Sequence, residues 1–341
     1  MTIQNGARLS RRRLLVTAAA ALGVTAFPSP FIRRASAQDA FPSRDLNVII
    51  PTSQGGVVDR VGRAVAPFWS KNLGVNIEFD YINGASGEIA YQTLVDRRDA
   101  DGHNLLLGNV GNEMVMYATR DTAFDFPGDV TYIARTDIDD SAIFVRNESP
   151  FQTIEDLVEE GQTRALNVGT ARLPHPASIG VLALGEATGA QFNIVPYGGG
   201  NPMMVAALSG ETDCTTSAFS LPAQTPDQYR YLGVFSTENR FSALMGNAPS
   251  VNEVFGTDIP DLPSARGIAI QTSVLEEQAD RVEILLEALR STYDDPGFRA
   301  DWEKTGAPWE IAQFGDQAAI MAYANDMRLM AENYRSLLTS G

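Results

Sequence analysis

The sequence LNVIIPTSQGGVVD, residues 46–59, joins a short apolar run to a loop rich in glycine and hydroxyl groups, and then to the start of a helical pattern. The apolar run, Leu46–Ile50, has the length of a buried strand. From Val57 to Trp69 the apolar residues recur every three or four positions, the spacing of one helix face. The stretch therefore predicts a strand, a loop and a helix, in that order.

The same order recurs along the chain. Residues 75–81 alternate between apolar and polar positions before the loop NGASG at 83–87, and the apolar run at 105–107 is followed by Gly108–Asn109. A further series occupies residues 141–263, where Thr153 is predicted as the N-cap of a helix, and three helical segments, predicted over residues 275–293, 296–304 and 316–338, close the chain. Because this spacing fits right-handed crossovers between parallel strands, it predicts an α/β protein of two domains, each a mainly parallel sheet flanked by helices.

The predicted domain limits follow from where the series restarts. We expect residues 1–37 to be a signal peptide, residues 38–140 and 264–341 to form domain 1, and residues 141–263 to form domain 2.

The amino terminus has the pattern of an export signal. Arg11, Arg12 and Arg13 precede an apolar run from Leu14 to Phe27, and Ala35-Ser36-Ala37 follows it as a small-residue cleavage site. Paired arginines before an alanine-rich run favour the twin-arginine route. We therefore expect a periplasmic protein whose signal peptide is cleaved near Ala37.

Composition excludes several classes of protein. The formal net charge is -16, whereas nucleic acids and anionic membranes require basic surfaces. The single cysteine, Cys214, cannot form an internal disulfide, and with His103 and His175 it makes no zinc or iron–sulfur pattern. We therefore expect no metal, no cofactor and no nucleic-acid partner, and Cys214 is predicted to be a core residue.

The sequence contains no catalytic signature. It has no GxSxG elbow, phosphate-binding loop, GxGxxG after a strand, or HExxH. Residues 137–140, Asp-Ile-Asp-Asp, lack the glycine and the closing glutamate of a calcium loop, and we interpret them as a solvated turn. We predict no catalytic residues and no enzyme.

The loops that follow the strands are the predicted ligand-binding site. In α/β sheets, ligands lie beyond the carboxyl ends of the strands, where helix N-termini present unpaired N–H groups. An anion suits such a position. The loops with this placement are Thr52–Gly56, Gly84–Gly87, Gly108–Asn109, Thr170–Ser178 and Tyr197–Asn201.

An ordered set of motifs resembles one family, the substrate-binding proteins of tripartite tricarboxylate transporters (Bug or TctC). Residues 46–59 resemble its I-x-L-I-V-P-F-x-P-G-G-x-x-D opening. The matching segments that follow, in the same order and at similar spacing, are NGASGEIA at 83–90, DGHNLLLGN at 101–109, VPYGG at 195–199 and LSGETD at 208–213.

This resemblance implies a periplasmic two-domain clamp of the Venus flytrap kind, which captures a small organic acid and delivers it to the permease subunits of a tripartite tricarboxylate transporter. It implies ligand contacts made largely by backbone N–H groups, with the Asp after Gly-Gly helping to order water. We expect a monomer. The implied contact residues are Thr52, Ser53, Gly55, Gly56 and Asp59 in one domain and Gly169, Thr170, His175, Ser178, Pro196, Tyr197 and Gly198 in the other.

Three departures from the family pattern concern the same loops. Thr52-Ser53-Gln54 replaces Phe-x-Pro, so the mouth of the site is more polar and Gln54 joins the candidates. Gly198 replaces a lysine. Arg172 occupies a stretch that is rich in glycine and serine in the family; it either pairs bidentately with a second ligand carboxylate or lies in solvent, and the sequence leaves both open.

Two other functions remain open on sequence alone. The same clamp can present its ligand to a membrane histidine kinase as a sensor, or it can be an exported enzyme.

Overall fold

The structure is a computed structural model that describes residues 40–339, and the predicted signal peptide, residues 1–37, lies outside the described residues. Within the described residues, ten strands form two sheets of five. The strands are β1 Leu46–Ile50, β2 Ile77–Tyr81, β3 Asn104–Asn109, β4 Val130–Asp139, β5 Ser141–Arg146, β6 Leu166–Thr170, β7 Phe192–Pro196, β8 Cys214–Ala218, β9 Tyr229–Val234 and β10 Ser264–Gln271.

Both sheets have the same plan. The strand order is β2-β1-β3-β10-β4 in the first and β7-β6-β8-β5-β9 in the second. Within each sheet four strands run in one direction, and one, β10 or β5, runs against its neighbours. That strand is the first to follow a crossing from the other sheet. The predicted α/β fold of two sheets is confirmed, and both sheets are mixed because of this one strand.

The crossings between the sheets are short in one direction and long in the other. The chain leaves β4 at Asp139 and enters β5 at Ser141, so Asp140 alone lies between them. It returns to the first sheet at Ser264, after a short helix, Val251–Phe255, and a proline-rich stretch. The domain limits given above stay a prediction.

Helices cover both faces of both sheets. They are α1 Val57–Leu73, α2 Glu88–Arg97, α3 Val110–Thr119, α4 Ile154–Thr163, α5 Pro176–Thr188, α6 Gly200–Ser209, α7 Val251–Phe255, α8 Thr272–Glu277, α9 Ala279–Asp294, α10 Phe298–Glu303, α11 Gln317–Asn333 and α12 Arg335–Thr339. We call the first sheet and the helices packed on it (α1–α3 and α8–α11) the first lobe. The second sheet with α4–α7 is the second lobe, and α12 contacts α3 in one lobe and α5 in the other.

The alternation of strand side chains explains how the helices pack. In β1, Leu46, Val48 and Ile50 share an apolar cluster with Trp69 of α1, whereas Ile49 points to the opposite face and packs in another cluster. Each fully buried aliphatic side chain contributes about 1.5–3 kcal/mol. Because β1 is buried on both faces, it has the continuous apolar run from which it was predicted.

Local sequence signals define several helix ends. Thr153 caps α4, as predicted: its hydroxyl accepts from the Asp156 amide, and the Asp156 carboxylate accepts from the Thr153 amide. The C-terminal helices are less continuous than predicted. The segment predicted over residues 275–293 is broken at Gln278, and the one over 316–338 is interrupted at Tyr334.

Candidate functional site

A cavity of about 770 Å³ lies where the two lobes face each other. Its walls are the loops after β1 and β2 and the start of α3 in the first lobe, and the loops after β6 and β7 in the second, together with residues of β8 and β10. Gly108–Asn109, predicted as a loop, are instead the last two residues of β3 and lead directly into α3. These loops follow the carboxyl ends of parallel strands, so the topology brings them to one place. The volume is within the range of small-molecule sites.

The loop after β1 is shaped by Asp59. Its carboxylate accepts hydrogen bonds from the Gly55 amide at 2.7 Å, the Tyr81 hydroxyl at 2.6 Å and Arg63 Nε at 2.9 Å. Asp59 is buried and does not line the cavity. It therefore fixes the loop from behind, and its acceptor capacity is used within the protein.

Beyond that loop, α1 presents free donors to the cavity. The amides of Val57 and Val58 make no hydrogen bond within residues 40–339, as expected for the first turn of a helix. Both residues line the cavity. The positive end of the helix dipole therefore points to it, which favours an anion there.

The loop after β2 has an unusual backbone. Four consecutive residues, Gly84, Ala85, Ser86 and Gly87, have positive φ values of 131°, 45°, 60° and 108°. Such conformations cost about 1–3 kcal/mol for a residue with a side chain. Arginines hold two of the carbonyls: Arg120 Nη1 donates to Ala85 O at 3.3 Å, and Arg172 Nη1 donates to Ser86 O at 3.0 Å.

The Arg172 contact joins the lobes. Arg172 belongs to the loop after β6, in the second lobe, whereas Ser86 belongs to the first. Its guanidinium is partly exposed and lines the cavity. Arg172 is thus a cation at the boundary between the lobes, and solvent is not its only partner.

His175 terminates the same second-lobe loop. Its Nδ1 accepts from the Ala177 amide at 3.0 Å and so caps α5, whose first residue is Pro176. Burial, and then the nearby Arg172 guanidinium, lower the pKa of His175 to about 3. The ring is therefore neutral and carries its proton on Nε2, which makes no hydrogen bond to any described residue. His175 also lines the cavity, where this N–H is a free donor.

The loop after β7 forms another part of the cavity wall in the second lobe. Gly198 has φ +73°, and residues 198–202 line the cavity up to the start of α6. Tyr197 does not line it, and its hydroxyl donates to Glu211 at 3.0 Å. The wall is therefore mostly main chain, which lets a ligand approach backbone N–H groups closely.

The charge of the cavity is opposite to that of the protein. Its lining, all within the described residues, includes Arg120, Arg172 and Arg266, and no aspartate or glutamate. The whole chain contains 42 acidic residues against 26 basic ones. Arg120 and Arg172, with no carboxylate in the described lining to offset them, therefore make the cavity locally positive in an acidic protein, whereas the charge of Arg266 is balanced by a buried ion pair.

Arg266 belongs to a buried charge cluster. It forms an ion pair with Asp137, and Asp139 Oδ2 lies 3.8 Å from its Nη2. Burial raises the pKa of Asp139 to about 8, although the Ser220 hydroxyl donates to it. The interpretation of residues 137–140 as a solvated turn is wrong: they form the buried end of β4 and the crossing to β5.

The structure places the predicted site residues in two groups. Those that line the cavity are Thr52, Ser53, Gln54, Gly56, Asn109, Arg172, His175, Pro196 and Gly198. Those outside its lining are Gly55, Asp59, Gly108, Gly169, Thr170, Ser178 and Tyr197. Some residues of the second group hold the backbone of the loops that line the cavity. The Thr170 hydroxyl, for example, donates to the Arg172 carbonyl at 3.1 Å.

Sequence reasoning missed several lining residues. Arg120 follows the end of α3, and Arg266 and Ser264 begin β10, far along the chain from the other loops. An arginine inside an apolar strand was the available signal for Arg266, because arginine is rarely buried unless it is paired.

Among residues 40–339, no group of three or more histidine, cysteine, aspartate or glutamate side chains is arranged to hold a metal ion. No helix in this part of the chain combines the length and the apolar character needed to cross a bilayer. Cys214 is buried in β8, as predicted.

Comparison with known proteins gives one family. Residues 61–326 match the model of the tripartite tricarboxylate transporter family receptor. An Agrobacterium vitis protein, the UPF0065 protein in the TAR-I ttuE-ttuC' intergenic region, is 29% identical over 181 residues, 52% of either chain, so the match spans about half of that relative.

Two solved structures of Rhodopseudomonas palustris proteins share the fold. Rpa4515 with adipate has a TM-score of 0.74 at 20% identity and covers 88% of this chain and 98% of its own. MatC with bound malate has a TM-score of 0.70 at 21% identity and covers 87% of this chain and all of its own.

Proposed function

Because the chain belongs to the tripartite tricarboxylate transporter receptor family, we propose that it captures a small organic carboxylate and delivers it to a membrane transporter of that type. The observation that carries the proposal is the charge of the cavity, which has arginines and no acidic side chain in an acidic protein. The relatives of the same fold hold adipate and malate, which are both dicarboxylic acids.

The geometry supplies two kinds of donor for a carboxylate. The free amides of Val57 and Val58 suit one carboxylate end, since hydrogen bonds to a charged group contribute about 1.5–3 kcal/mol each. Arg172, with the neutral donor His175 three residues later, suits a second one. Charges on the protein surface are screened over ~8 Å, so these contacts outweigh the overall negative charge.

This arrangement favours binding over catalysis. Among the described residues, the lining contains no carboxylate to act as a base, and its one histidine is neutral and caps a helix. We propose that the ligand leaves unchanged.

The site of action and the partner follow from the export signal and the family. We propose that the chain is exported by the twin-arginine route, loses its signal peptide near Ala37 and works in the periplasm with the permease subunits of the transporter. Capture of a histidine kinase in place of a permease would favour a sensor.

A melting-temperature screen of the purified protein tests the binding function. The panel contains mono-, di- and tricarboxylates, amino acids and neutral sugars. A ligand at ~100 times its Kd stabilises by about 2.7 kcal/mol, a shift of several degrees. Stabilisation by one class of carboxylate supports the proposal, and stabilisation by sugars alone contradicts it.

A further inference from the structure

Glu113 is a buried carboxyl directly behind the cavity wall. It lies on α3, is 1% exposed, and neither of its oxygens has a hydrogen-bond partner of normal geometry among the described residues. A methyl group placed on Gly108 would lie 3.2 Å from Oε2, and one on Gly87 would lie 3.5 Å from Oε1. Because Gly87 lines the cavity, only a thin layer of main chain separates Glu113 from the ligand space.

Among the described residues, one charged side chain, Arg172, acts on this carboxyl. Arg172 approaches from the second lobe, where its Nη1 donates to Ser86 O, and it makes no direct ion pair with Glu113. The hydroxyls of Tyr91 on α2 and Tyr132 on β4 face Glu113 and are hydrogen-bonded to each other at 2.6 Å.

The remaining neighbours stay neutral at ordinary pH. Tyr323 of α11 also interacts with Glu113, and burial raises the pKa of all three tyrosines. Burial raises the pKa of Glu113 itself to about 8, opposed by Arg172 and by the amides of Asn109 and Glu113. The Arg172 guanidinium is therefore the charge that favours ionisation of Glu113.

A ligand carboxylate at Arg172 would compete with Glu113 for that guanidinium. Two anions beside one cation repel each other, and the one with the less favourable environment takes up a proton. Resting on the function proposed above, we propose that Glu113 couples binding to a proton: an anion that engages Arg172 is bound together with a proton held on Glu113.

The direction of the pH dependence follows from linkage. Below pH 8 Glu113 already holds its proton, so binding is at full strength. Above pH 8 the free protein has lost the proton, and binding must restore it, so the affinity falls by up to tenfold per pH unit. His175, with a pKa of about 3, is neutral throughout this range and does not contribute.

Calorimetric titration with adipate at pH 6.5 and pH 9.0 tests the coupling. We expect a Kd about tenfold weaker at pH 9.0, with uptake of nearly one proton per adipate, measured from buffers of different ionisation enthalpy. Glu113→Gln, which mimics the protonated carboxyl, should lose both the pH dependence and the proton uptake. The exposed Glu283→Gln on α9 is the matched control and should behave as the unaltered protein does.

The same pH dependence in Glu113→Gln, or binding by the unaltered protein with no proton uptake at pH 9.0, would overturn the proposal. A second measurement needs no ligand: the pKa of Glu113, from NMR of its carboxyl carbon, should be near 8 and should rise in Arg172→Gln. Glu113 ionised at pH 7, or a pKa unchanged in Arg172→Gln, would overturn the coupling. Failure of adipate to bind at either pH bears on the proposed function alone, and the NMR result then decides.

Discussion

Gly56→Val is expected to abolish ligand binding without unfolding the protein. Gly56 precedes α1 with φ -73° and ψ 177°, values that any residue adopts. A Cβ on it would lie 3.4 Å from Ser53 O and 3.8 Å from Thr52 Oγ1, both ordinary contacts. The backbone therefore accepts the substitution, and the two added methyl groups are placed beside the free amides of Val57 and Val58 in the cavity wall.

The expected loss of ligand affinity follows from the backbone N–H donors that the valine side chain blocks. Loss of two hydrogen bonds to a carboxylate costs about 3–6 kcal/mol, or roughly 100- to 20,000-fold in Kd. Valine is a poor residue at a helix N-cap, so the free energy of unfolding should fall by only about 0.5–1 kcal/mol. This lowers the Tm by no more than about 4 °C.

The assay is calorimetric titration with the acid that shifts the Tm most in the panel, together with circular dichroism of each variant. Gly297→Val is the matched control, because Gly297 precedes α10 with φ -79° and does not line the cavity. The control should keep the Kd of the unaltered protein. A folded Gly56→Val protein whose Kd lies within threefold of the unaltered value would refute this account of the α1 wall.

Other substitutions test separate parts of the site. Asp59→Asn removes one of the two oxygens that accept from three donors of the protein, so the free energy of unfolding measured in urea should fall by about 1–3 kcal/mol. Ligand binding should weaken as well, because the loop after β1 loses support. Unchanged stability would count against this role of Asp59. Arg172→Gln should weaken a dicarboxylate about 10- to 100-fold in a calorimetric titration but a monocarboxylate of the same length much less, and equal losses would contradict a second carboxylate subsite. Folding raises the pKa of Glu113 from 4.5 to about 8. Between those pH values the unfolded chain loses this proton while the folded protein keeps it, so the free energy of unfolding falls as pH rises. Glu113→Gln should therefore gain stability over the unaltered protein with rising pH, by at most about 5 kcal/mol at pH 9, and parallel urea-unfolding profiles would contradict this.

The elements that sequence reasoning found are those with a local signal. The β1 strand and the α1 helix follow from an apolar run and a helical period within 24 residues, 46–69, and the α4 cap follows from Thr153. The loops after β1, β2, β6 and β7 lie at the ends of parallel strands, as predicted, because that position depends on topology alone, whereas Gly108–Asn109 belong to β3 itself.

The β4 strand had no such signal. Its sequence, VTYIARTDID, carries three charged side chains, which argued against a buried strand. Asp137 is buried because its partner, Arg266, lies on β10 far along the chain. An ion pair of this kind compensates the cost of burying each charge, and nothing near residue 137 indicates the partner.

The candidate site divides in the same way. Hydroxyl and glycine residues near β1 were recognisable as cavity lining, whereas Arg120 and Arg266 reach the cavity only through the packing of α3 and β10. Family resemblance suggested that Asp59 orders water at the ligand. In the structure its carboxylate is already engaged by three donors of the protein, so its effect on the ligand is indirect.

The central claim is that the cavity recognises the negative charge of a carboxylate. Its most direct test is a pair of calorimetric titrations, one with the acid selected by the melting panel and one with its uncharged amide of the same carbon skeleton. A cavity whose described lining has arginines and free backbone N–H groups but no acidic side chain should bind the acid at least 100-fold more tightly than its amide. Each lost charged contact costs about 1.5–3 kcal/mol. Equal affinity for the acid and the amide would show that the cavity does not recognise charge, and would contradict the account.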